Sequence, residues 1–330
     1  MTEATAPNSL LAFSQSLAKA VERVSPAVVA IDARPRVATS GIVWRDGVIV
    51  STNHTVRRNE EITVSLGDGR RLPASLVGRD ASTDIAVVRI ETDEALGIDP
   101  VVTTSHDELS VGNLTLAVGR IHRERGVTAS FGIVSALGDK WRTWRGGEID
   151  RLIQPDVSIF IGFSGGALID VEGRVIGVNT TGLARGAGLT LPASTVNHVL
   201  DVLLEHGRIA RPYLGVSLQP VALPAELRSN LNLPNESALL VLSLEAEAPA
   251  GRGGMTLGDV LVTLDGALVA DTDDVQTVLS RSKIGQTVSA TILRGGQKLE
   301  ITLTLTERPG EKASDDDEPR HRWGRSRWRR

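Results

Sequence analysis

Three residues with chemically active side chains, His54, Asp84 and Ser164, lie far apart in the sequence in the order histidine, aspartate, serine. A serine hydroxyl becomes a nucleophile when a histidine takes its proton, and an aspartate can hold that histidine in the required tautomer. Ser164 lies in the segment Gly-Phe-Ser-Gly-Gly (162–166), where glycines allow sharp turns that direct N–H groups at an oxyanion. The three residues therefore predict nucleophilic attack on an acyl carbon, with the N–H groups of Gly162 and Ser164 as oxyanion donors.

Taken singly, these residues carry less weight. His54 alone fits an ordinary surface-loop histidine, and Asp84, which precedes an apolar run, fits a turn residue. The chain order is what distinguishes them, because it matches the chymotrypsin-type triad and differs from the subtilisin and α/β-hydrolase orders. The other histidines show no clustering of the kind that binds a metal, so no metal site is predicted.

The segment 162–166 also fits the G-x-S-x-G elbow of α/β-hydrolases, which would make the chain an esterase. That elbow needs a helix directly after the serine, with the acid and the histidine downstream. Here ALIDVEGRVIGVNT (167–180) alternates like a β-hairpin, and both partner residues lie upstream. The esterase alternative is therefore disfavoured.

Composition predicts a protein of two ordinary domains. The chain has 330 residues, of which 41% are hydrophobic and 23% charged, and its formal net charge of −4 gives no general case for nucleic-acid binding. It has no cysteine, which excludes disulfides and thiolate chemistry. No apolar run is long enough to span a bilayer, and the N-terminal residues lack the pattern of a secretory signal.

Hydrophobic periodicity divides the chain further. Residues 1–24 predict an amphipathic helical segment, and residues 25–208 consist mainly of short β-branched runs between turn residues, as in an antiparallel sandwich or barrel. A helix over 194–209, with Ser194 as N-cap and Gly207 at its end, is expected to close this domain. Residues 212–308 mix strand-like runs with one helix over 272–282. The tail, 309–330, has an acidic run followed by a Trp- and Arg-rich end, and we expect a disordered, solvated appendage rather than a segment that contacts nucleic acid or a membrane.

Several motifs resemble the HtrA/Deg family of trypsin-like serine proteases with a C-terminal PDZ domain. They are VSTNHTV (50–56), GRDASTDIAVVRI (78–90), GVTASFGIVSALG (126–138), IQPDVSIFIGFSGGALID (153–170) and, in the second unit, YLGV (213–216). The resemblance covers about residues 25–306, with the motifs in the family's order. It implies a mostly β chain, with a chymotrypsin-like double β-barrel protease domain followed by an α+β PDZ domain.

The resemblance also implies two binding sites. A specificity pocket would be lined by Ile159, Gly182 and Leu183, and since none is acidic we expect a small aliphatic residue before the cleaved bond. Peptide C-termini would bind at a loop of the PDZ domain formed by Tyr213, Leu214, Gly215 and Val216, where backbone N–H groups capture the carboxylate and the peptide extends a sheet edge.

As a whole, the resemblance implies a serine endopeptidase that cleaves unfolded or damaged proteins without a cofactor or metal. Family members commonly form homotrimers, to which Leu10, Leu11 and Phe13 would contribute unless they pack onto their own domain. The family usually works outside the cytoplasm, in the periplasm. This sequence shows no export signal, which predicts either a cytoplasmic protein or one whose leader has been removed.

The alternative from another class is a protease-like peptide-binding scaffold with weak or no hydrolysis. Two departures from the family pattern support it, Phe163 in place of the usual Asn before the serine, and Asp139 in place of an Arg in the activation loop, with Lys140 and Arg142 nearby. A third departure lies in TSGIVWRDG (39–47), and we expect it to concern packing more than chemistry.

Overall fold

Two closed six-stranded barrels account for most of the first two hundred residues of the computed structural model, which describes residues 9–35, 37–122, 126–143, 145–184 and 188–308. The chain divides into two units after Ile209. The N-terminal residues 1–8 and the tail 309–330 lie outside the described residues, so the expectation for the tail stays a prediction.

The first unit begins with helix α1 (Ser9–Val24) and a short 3₁₀ turn (Ser25–Ala27). Barrel 1 follows, with strands in the spatial order β1-β2-β3-β6-β5-β4. Strands β1, β3 and β6 are nearly continuous buried runs rich in Val, Ile and Ala, which favour a packed barrel interior. The strands are β1 (Val28–Asp32), β2 (Thr39–Arg45), β3 (Val48–Thr52), β4 (Ile62–Ser65), β5 (Arg71–Asp80) and β6 (Ile85–Ile90).

After a second 3₁₀ turn (His106–Glu108), barrel 2 has the order β11-β14-β13-β12-β7-β8, with a separate hairpin, β9–β10, inserted between β8 and β11. The strands are β7 (Leu114–Gly119), β8 (Thr128–Gly138), β9 (Trp141–Arg142), β10 (Glu148–Ile149), β11 (Leu152–Pro155), β12 (Ala167–Ile169), β13 (Val175–Thr180) and β14 (Leu189–Pro192).

Helix α2 (Ala193–His206) closes this unit, as predicted. Gly207 ends it in the left-handed conformation, with its N–H bonded to Leu203 O at 2.8 Å. The expected N-cap was wrong, because Ser194 lies inside the helix and donates its hydroxyl to Asp150 Oδ2 at 2.6 Å. One apolar cluster joins residues of both barrels with residues of α1 and α2, so the barrels pack as one body.

The second unit is an α+β fold around one sheet in the order β16-β17-β18-β20-β21, with β19 paired to β18 and a separate β15–β22 pair. Asp271 and Asp274 form a capping box at the start of α5, where the sequence predicted a helix. No helix among the described residues combines the length and apolar character needed to cross a membrane. The elements are β15 (Pro212–Tyr213), β16 (Val216–Ala222), α3 (Ala225–Leu231), β17 (Ser237–Leu244), α4 (Pro249–Arg252), β18 (Val260–Leu264), β19 (Ala267–Leu268), α5 (Thr272–Arg281), β20 (Thr287–Arg294), β21 (Gln297–Thr304) and β22 (Thr306–Glu307).

Candidate active site

His54 and Asp84 meet at one end of barrel 1, although 30 residues separate them. His54 follows β3, Asp84 precedes β6, and these two strands pair in register from Val48–Arg89 to Thr52–Ile85. The ring Nδ1 lies 2.8 Å from Asp84 Oδ2, and the backbone N–H of His54 donates to Asp84 Oδ1 at 2.9 Å. A carboxylate accepts, so Nδ1 carries the proton and Nε2 is left as the base.

The carboxylate of Asp84 is buried and held from a second barrel as well. Its side chain is 5% exposed, and Thr180 at the end of β13 donates its hydroxyl to Oδ2. Asp84 has a φ of +60°, a conformation that is unfavourable for a residue with a Cβ and that concentrates at functional positions. Thr180 is not predicted as a site residue, and its only signal in the sequence is its place at the end of the run RVIGVNT (174–180).

Ser164 lies in barrel 2, on the loop between β11 and β12. A strand, β12, follows it three residues later, so the local structure is not that of an α/β-hydrolase elbow. Its hydroxyl lies 3.2 Å from Thr181 Oγ1. Among the described residues, the hydroxyl of Ser164 forms this hydrogen bond and none with the ring of His54. Hydrogen bonds of this kind are often long or unmade before a substrate binds, so the arrangement does not exclude transfer of the proton to His54.

The backbone just before Ser164 forms a tight turn. Phe163 N donates to Phe160 O at 2.9 Å, and Gly162 has a φ of +97°, as the third residue of a type II turn requires. None of the hydrogen bonds of the described residues uses the N–H of Gly162 or of Ser164. Both predicted oxyanion donors are therefore uncommitted.

The carbonyl groups of this turn, in contrast, are bonded to barrel 1. Gly162 O accepts from Ser40 N at 2.9 Å and from Ser40 Oγ at 2.7 Å, and Ser164 O accepts from Thr39 Oγ1 at 2.8 Å. Each carbonyl shares a rigid peptide plane with the N–H of the next residue, so these bonds fix the peptide units Gly162–Phe163 and Ser164–Gly165, which lie on either side of the unit that carries the Ser164 N–H. Residues 39–47, whose departure from the family pattern is expected to concern packing more than chemistry, therefore also contact the oxyanion segment.

A buried arginine supports Ser40 from behind. The backbone N–H of Arg120 donates to Ser40 Oγ at 2.9 Å, and its guanidinium donates to Val28 O at 2.7 Å and to Ser25 O at 3.2 Å. Burial lowers the pKa of Arg120 from its ordinary value, while the charge of Asp68 opposes that change. The oxyanion segment is thus linked through Ser40 and Arg120 to the start of barrel 1.

Phe163 occupies the interior of barrel 2 rather than the site. Its side chain is fully buried with Ile153, Leu168 and Ile176, and its ring meets that of Phe160 edge-on at 5.2 Å between centroids. A Cβ on Gly119 would lie 2.9 Å from the Phe163 ring, so the ring packs against that glycine. Because the ring is buried in barrel 2, it does not interact with the N–H groups of Gly162 and Ser164.

The loop that contains Asp139 forms the β9–β10 hairpin beside the segment that leads to Asp84. Lys140 and Arg142 both pair with Glu148 across the hairpin. Thr143 Oγ1 donates to Ser82 O at 2.7 Å, two residues before Asp84. The hairpin therefore contacts the histidine–aspartate half of the site.

Of the predicted pocket residues, the structure brings two together. Gly182 and Leu183 help to line a cavity of about 90 Å³ that also reaches His54 and Asp84. A Cβ on Gly182 would lie 2.6 Å from Asp84 Oδ2, so only glycine fits there without a shift. Ile159 is not part of this cavity; it packs against the barrel 2 cluster and against Gly188.

The predicted peptide-binding loop of the second unit lies between β15 and β16. Leu214 O accepts from Ala250 N and Gly215 O accepts from Glu245 N, both at 2.9 Å, and Gly215 has a φ of +77°. The N–H groups of Leu214 and Gly215 donate to no acceptor among the described residues. Strand β16, which starts at Val216, is the edge of the sheet, so its outer side is open to another strand.

Tyr213, the first residue of this loop, is held on the surface of the unit. Its hydroxyl donates to Glu245 Oε1 at 2.6 Å, and the Arg308 guanidinium lies 5.2 Å from its ring centroid. Burial and the adjacent Glu245 carboxylate raise the pKa of Tyr213 above its ordinary value. The tyrosine is thus positioned by its neighbours, beside the two free N–H groups.

Comparisons with known proteins agree with this architecture. A trypsin-like peptidase domain model matches residues 39–178, and a PDZ domain model matches residues 212–305. A probable periplasmic serine endoprotease, DegP-like, from Brucella suis is 33% identical over 285 residues, which are 84% of this chain and 54% of the relative. The Protease Do-like 1, chloroplastic, of Arabidopsis thaliana is 31% identical and aligns over 84% of this chain and 65% of its own length. The chain thus spans about half the length of the first of these relatives.

Solved structures match over most of their length. The HtrA-type protease AlgW with decapeptide is 30% identical, with a TM-score of 0.68, and the match covers 89% of this chain and 99% of that one. The serine endoprotease from Yersinia pestis is 27% identical, also with a TM-score of 0.68, over 89% of this chain and 98% of its own. With its double barrel, its PDZ unit and these matches, the chain belongs to the HtrA family of proteases.

Proposed function

We propose that the chain is a serine endopeptidase that cleaves unfolded or damaged proteins. The observation that carries this proposal is the His54–Asp84 pair, bonded at 2.8 Å, in the same unit as a serine whose two flanking oxyanion donors are uncommitted. The proposed boundaries are a helical segment (1–24), a trypsin-like serine protease domain (25–208), a PDZ domain (212–308) and a charged tail (309–330). The division of the chain after Ile209 and the extents of the two matching family models support these boundaries.

In the proposed reaction, Ser164 Oγ attacks the carbonyl carbon of the peptide bond while its proton passes to His54 Nε2. The tetrahedral oxyanion is bound by the N–H groups of Gly162 and Ser164, and one such donor is typically worth about 3 kcal/mol in the transition state. His54 then gives its proton to the leaving nitrogen, and the acyl group stays on Ser164. A water molecule, deprotonated by His54, releases it.

Degradation of casein tests this activity. We expect the intact chain to degrade casein and the Ser164→Ala variant to be inactive while it retains its circular dichroism spectrum. Equal degradation by both proteins would assign the activity to a contaminant and contradict the proposal.

We further propose Ile159, Gly182 and Leu183 as the residues that select the side chain before the cleaved bond. Gly182 and Leu183 line a cavity that also reaches His54 and Asp84, which supports their contact with a substrate, and none of the three residues is acidic, which supports a small aliphatic side chain. A peptide-library cleavage profile checks this, and a profile dominated by Lys or Arg at that position would refute it.

We propose that peptide C-termini bind at Tyr213, Leu214, Gly215 and Val216 in the PDZ domain. The free N–H groups of Leu214 and Gly215 and the open edge of β16 support this assignment, since a carboxylate and an added strand need such partners. Titration with a hydrophobic C-terminal peptide as the free acid and as the amide tests it. The free acid should bind at least about tenfold more tightly, because the amide removes the charge that the N–H groups bind.

Homotrimer formation, in which Leu10, Leu11 and Phe13 would take part, is also proposed. The exposure of Leu10 (73%) and Leu11 (55%) supports an intermolecular role for these two residues, whereas Phe13 packs edge-on against Phe131 of its own unit. Light scattering on the intact protein and on a Leu10→Asp/Leu11→Asp double variant would distinguish a trimer from a monomer.

Since one relative is named as periplasmic and another as chloroplastic, we propose a place of action outside the cytoplasm, which cell fractionation tests.

One observation favours the second candidate function, a protease-like peptide-binding scaffold with weak or no hydrolysis. The hydroxyl of Ser164 is bonded to Thr181 and not to His54. Labelling with a fluorophosphonate, with and without a peptide bound to the PDZ domain, separates the two candidates. No labelling in either state would favour the scaffold.

A further inference from the structure

Two arginines border the site of Ser164 without a carboxylate partner. Arg34 donates from Nε to Val37 O at 3.0 Å and from Nη2 to Ala38 O at 3.3 Å. Arg57 donates from Nε to His54 O at 3.4 Å. Neither guanidinium forms an ion pair with any carboxylate of the described residues. Each therefore keeps donors that no acidic side chain satisfies.

The backbone brings both arginines to the same side of the site. Ala33 O accepts from Arg57 N and from Arg58 N, both at 2.9 Å, which ties the segment 33–38 to the residues after His54. Ala38 O lies 3.2 Å from the position of a Cβ on Gly162, so this segment borders the oxyanion turn. Gly182 lies elsewhere, with its Cβ position 2.7 Å from His54 Nδ1. If the part of a substrate before the cleaved bond lies along Gly182, the part after the cleaved bond lies on the opposite side of the site, next to Arg34 and Arg57.

The surroundings of Arg34 and Arg57 carry a net positive charge. Burial lowers the pKa of the half-buried Arg34, and the nearby charge of Arg57 lowers it further. The nearest carboxylates along these segments are engaged elsewhere, because Asp84 binds His54 and Asp32 pairs with Arg71 at 3.4 Å. Glu60 and Glu61 are exposed and make no ion pair with either arginine.

Such an arrangement costs free energy in the unbound protein. Two like charges repel, and a partly buried charge normally has a hydrogen-bonded counter-charge. A bound anion would remove both penalties. It would also be fixed by the planar, multidentate donors that guanidinium groups offer to a carboxylate.

We propose that Arg34 and Arg57 form a subsite for a carboxylate on the leaving half of the substrate, at the first or second residue after the cleaved bond. This inference rests on the proposed peptidase function and deepens it. The carboxylate has two possible sources, an Asp or Glu side chain within a longer chain, or the terminal carboxylate of a short leaving fragment.

Pairs of internally quenched peptides test the subsite. The two members of the first pair carry Glu and Gln, respectively, at the first position after the cleaved bond. Those of the second pair carry Glu and Gln at the second position. The two members of the third pair end at the second position, one as the free acid and one as the amide. We expect kcat/KM of the intact chain to be about fivefold higher for the charged member of at least one pair, as for a partly exposed ion pair. The preference should fall when salt is raised to about 0.5 M.

Variants assign the preference to the arginines. Arg57→Glu should reverse the charge preference, so that a peptide with Lys at that position is cleaved faster than the Glu peptide. Arg34→Gln should bring the ratio of kcat/KM between the charged and the neutral peptide closer to 1. The matched control is Arg89→Gln, an exposed arginine on β6 of the same barrel, which has no described ion pair and should keep the original ratio. Because each result is a ratio within one variant, a general loss of activity from loosening of the 34–38 segment leaves the test intact.

The outcomes separate this inference from the proposed function. The first two pairs report a side-chain carboxylate and the third a terminal one, so either positive result supports the subsite and names its source. Cleavage of all peptides at equal rates, or a preference that survives Arg57→Glu, would overturn the subsite alone. Absence of cleavage of every peptide, neutral ones included, would overturn the peptidase function and the subsite together.

Discussion

The carboxylate of Asp84 receives hydrogen bonds from His54 N, His54 Nδ1 and Thr180 Oγ1, whereas the hydroxyl of Ser164 is bonded to Thr181. The histidine–aspartate half of the site, on barrel 1, is thus fixed at its side chains. The serine half, on barrel 2, is fixed at its backbone carbonyls by Thr39 and Ser40, while the N–H groups of Gly162 and Ser164 stay uncommitted among the described residues. The comparison indicates that the proton acceptor is assembled in advance, and that the nucleophile must exchange Thr181 for His54 when a substrate arrives.

The largest expected effect comes from the fixed half. Asp84→Asn would place an amide where the carboxylate accepts from Nδ1, so the ring would adopt the wrong tautomer; a change of this kind in a serine protease triad costs about 10⁴-fold in kcat. Peptide hydrolysis followed at several enzyme concentrations measures the loss. A loss of less than about tenfold would mean that the His54–Asp84 pair is structural, because tautomer control is the reason for the large effect.

A smaller effect is expected where the serine half is held. Ser40→Ala removes the hydroxyl bonded to Gly162 O but keeps the backbone N–H bond, so we expect kcat to fall about tenfold with KM nearly unchanged, less than the loss of an oxyanion donor itself. Ser65→Ala is the matched control, because Ser65 is a buried barrel 1 serine whose hydroxyl has no hydrogen-bond partner. Equal losses in both variants would place the effect in the stability of the barrel.

The smallest effect should come from Thr181→Val, which keeps the shape of the side chain but removes the partner of Ser164 Oγ. Freed from this bond, the serine should react with a fluorophosphonate at an equal or higher rate, up to about fivefold, because a neutral hydrogen bond contributes only about 1 kcal/mol. Stopped-flow labelling rates check this. A rate more than tenfold lower would show that Thr181 positions the serine for attack.

Much of the fold could be predicted from the sequence because its signals are local. β-Branched runs, turn glycines and the acidic start of α5 depend on neighbours a few residues away. The double barrel and the PDZ unit were implied by the resemblance of the motifs to the HtrA/Deg family. The contacts of Thr39, Ser40 and Thr180 could not be predicted in this way. They join residues 96 to 125 positions apart, and they exist only because the two barrels pack against each other.

Other differences between expectation and structure have equally local causes. Ser194 was expected to cap α2, but the chain enters that helix from β14 through Pro192, and the serine hydroxyl finds Asp150 instead. Phe163 is the departure on which the scaffold alternative rests, and its ring packs inside barrel 2 beside Gly119. In both cases a side chain found a partner that only the tertiary structure provides.

The most direct test of the proposed active site is to identify which residue a fluorophosphonate labels and whether that labelling requires His54. Intact protein is treated with a fluorophosphonate and digested, and the adduct is located by mass spectrometry, with His54→Gln and Ser164→Ala treated in parallel. We predict one adduct per chain, on Ser164, that is nearly lost in His54→Gln and absent in Ser164→Ala. An adduct on another residue, or labelling of Ser164 at the same rate without His54, would contradict the account.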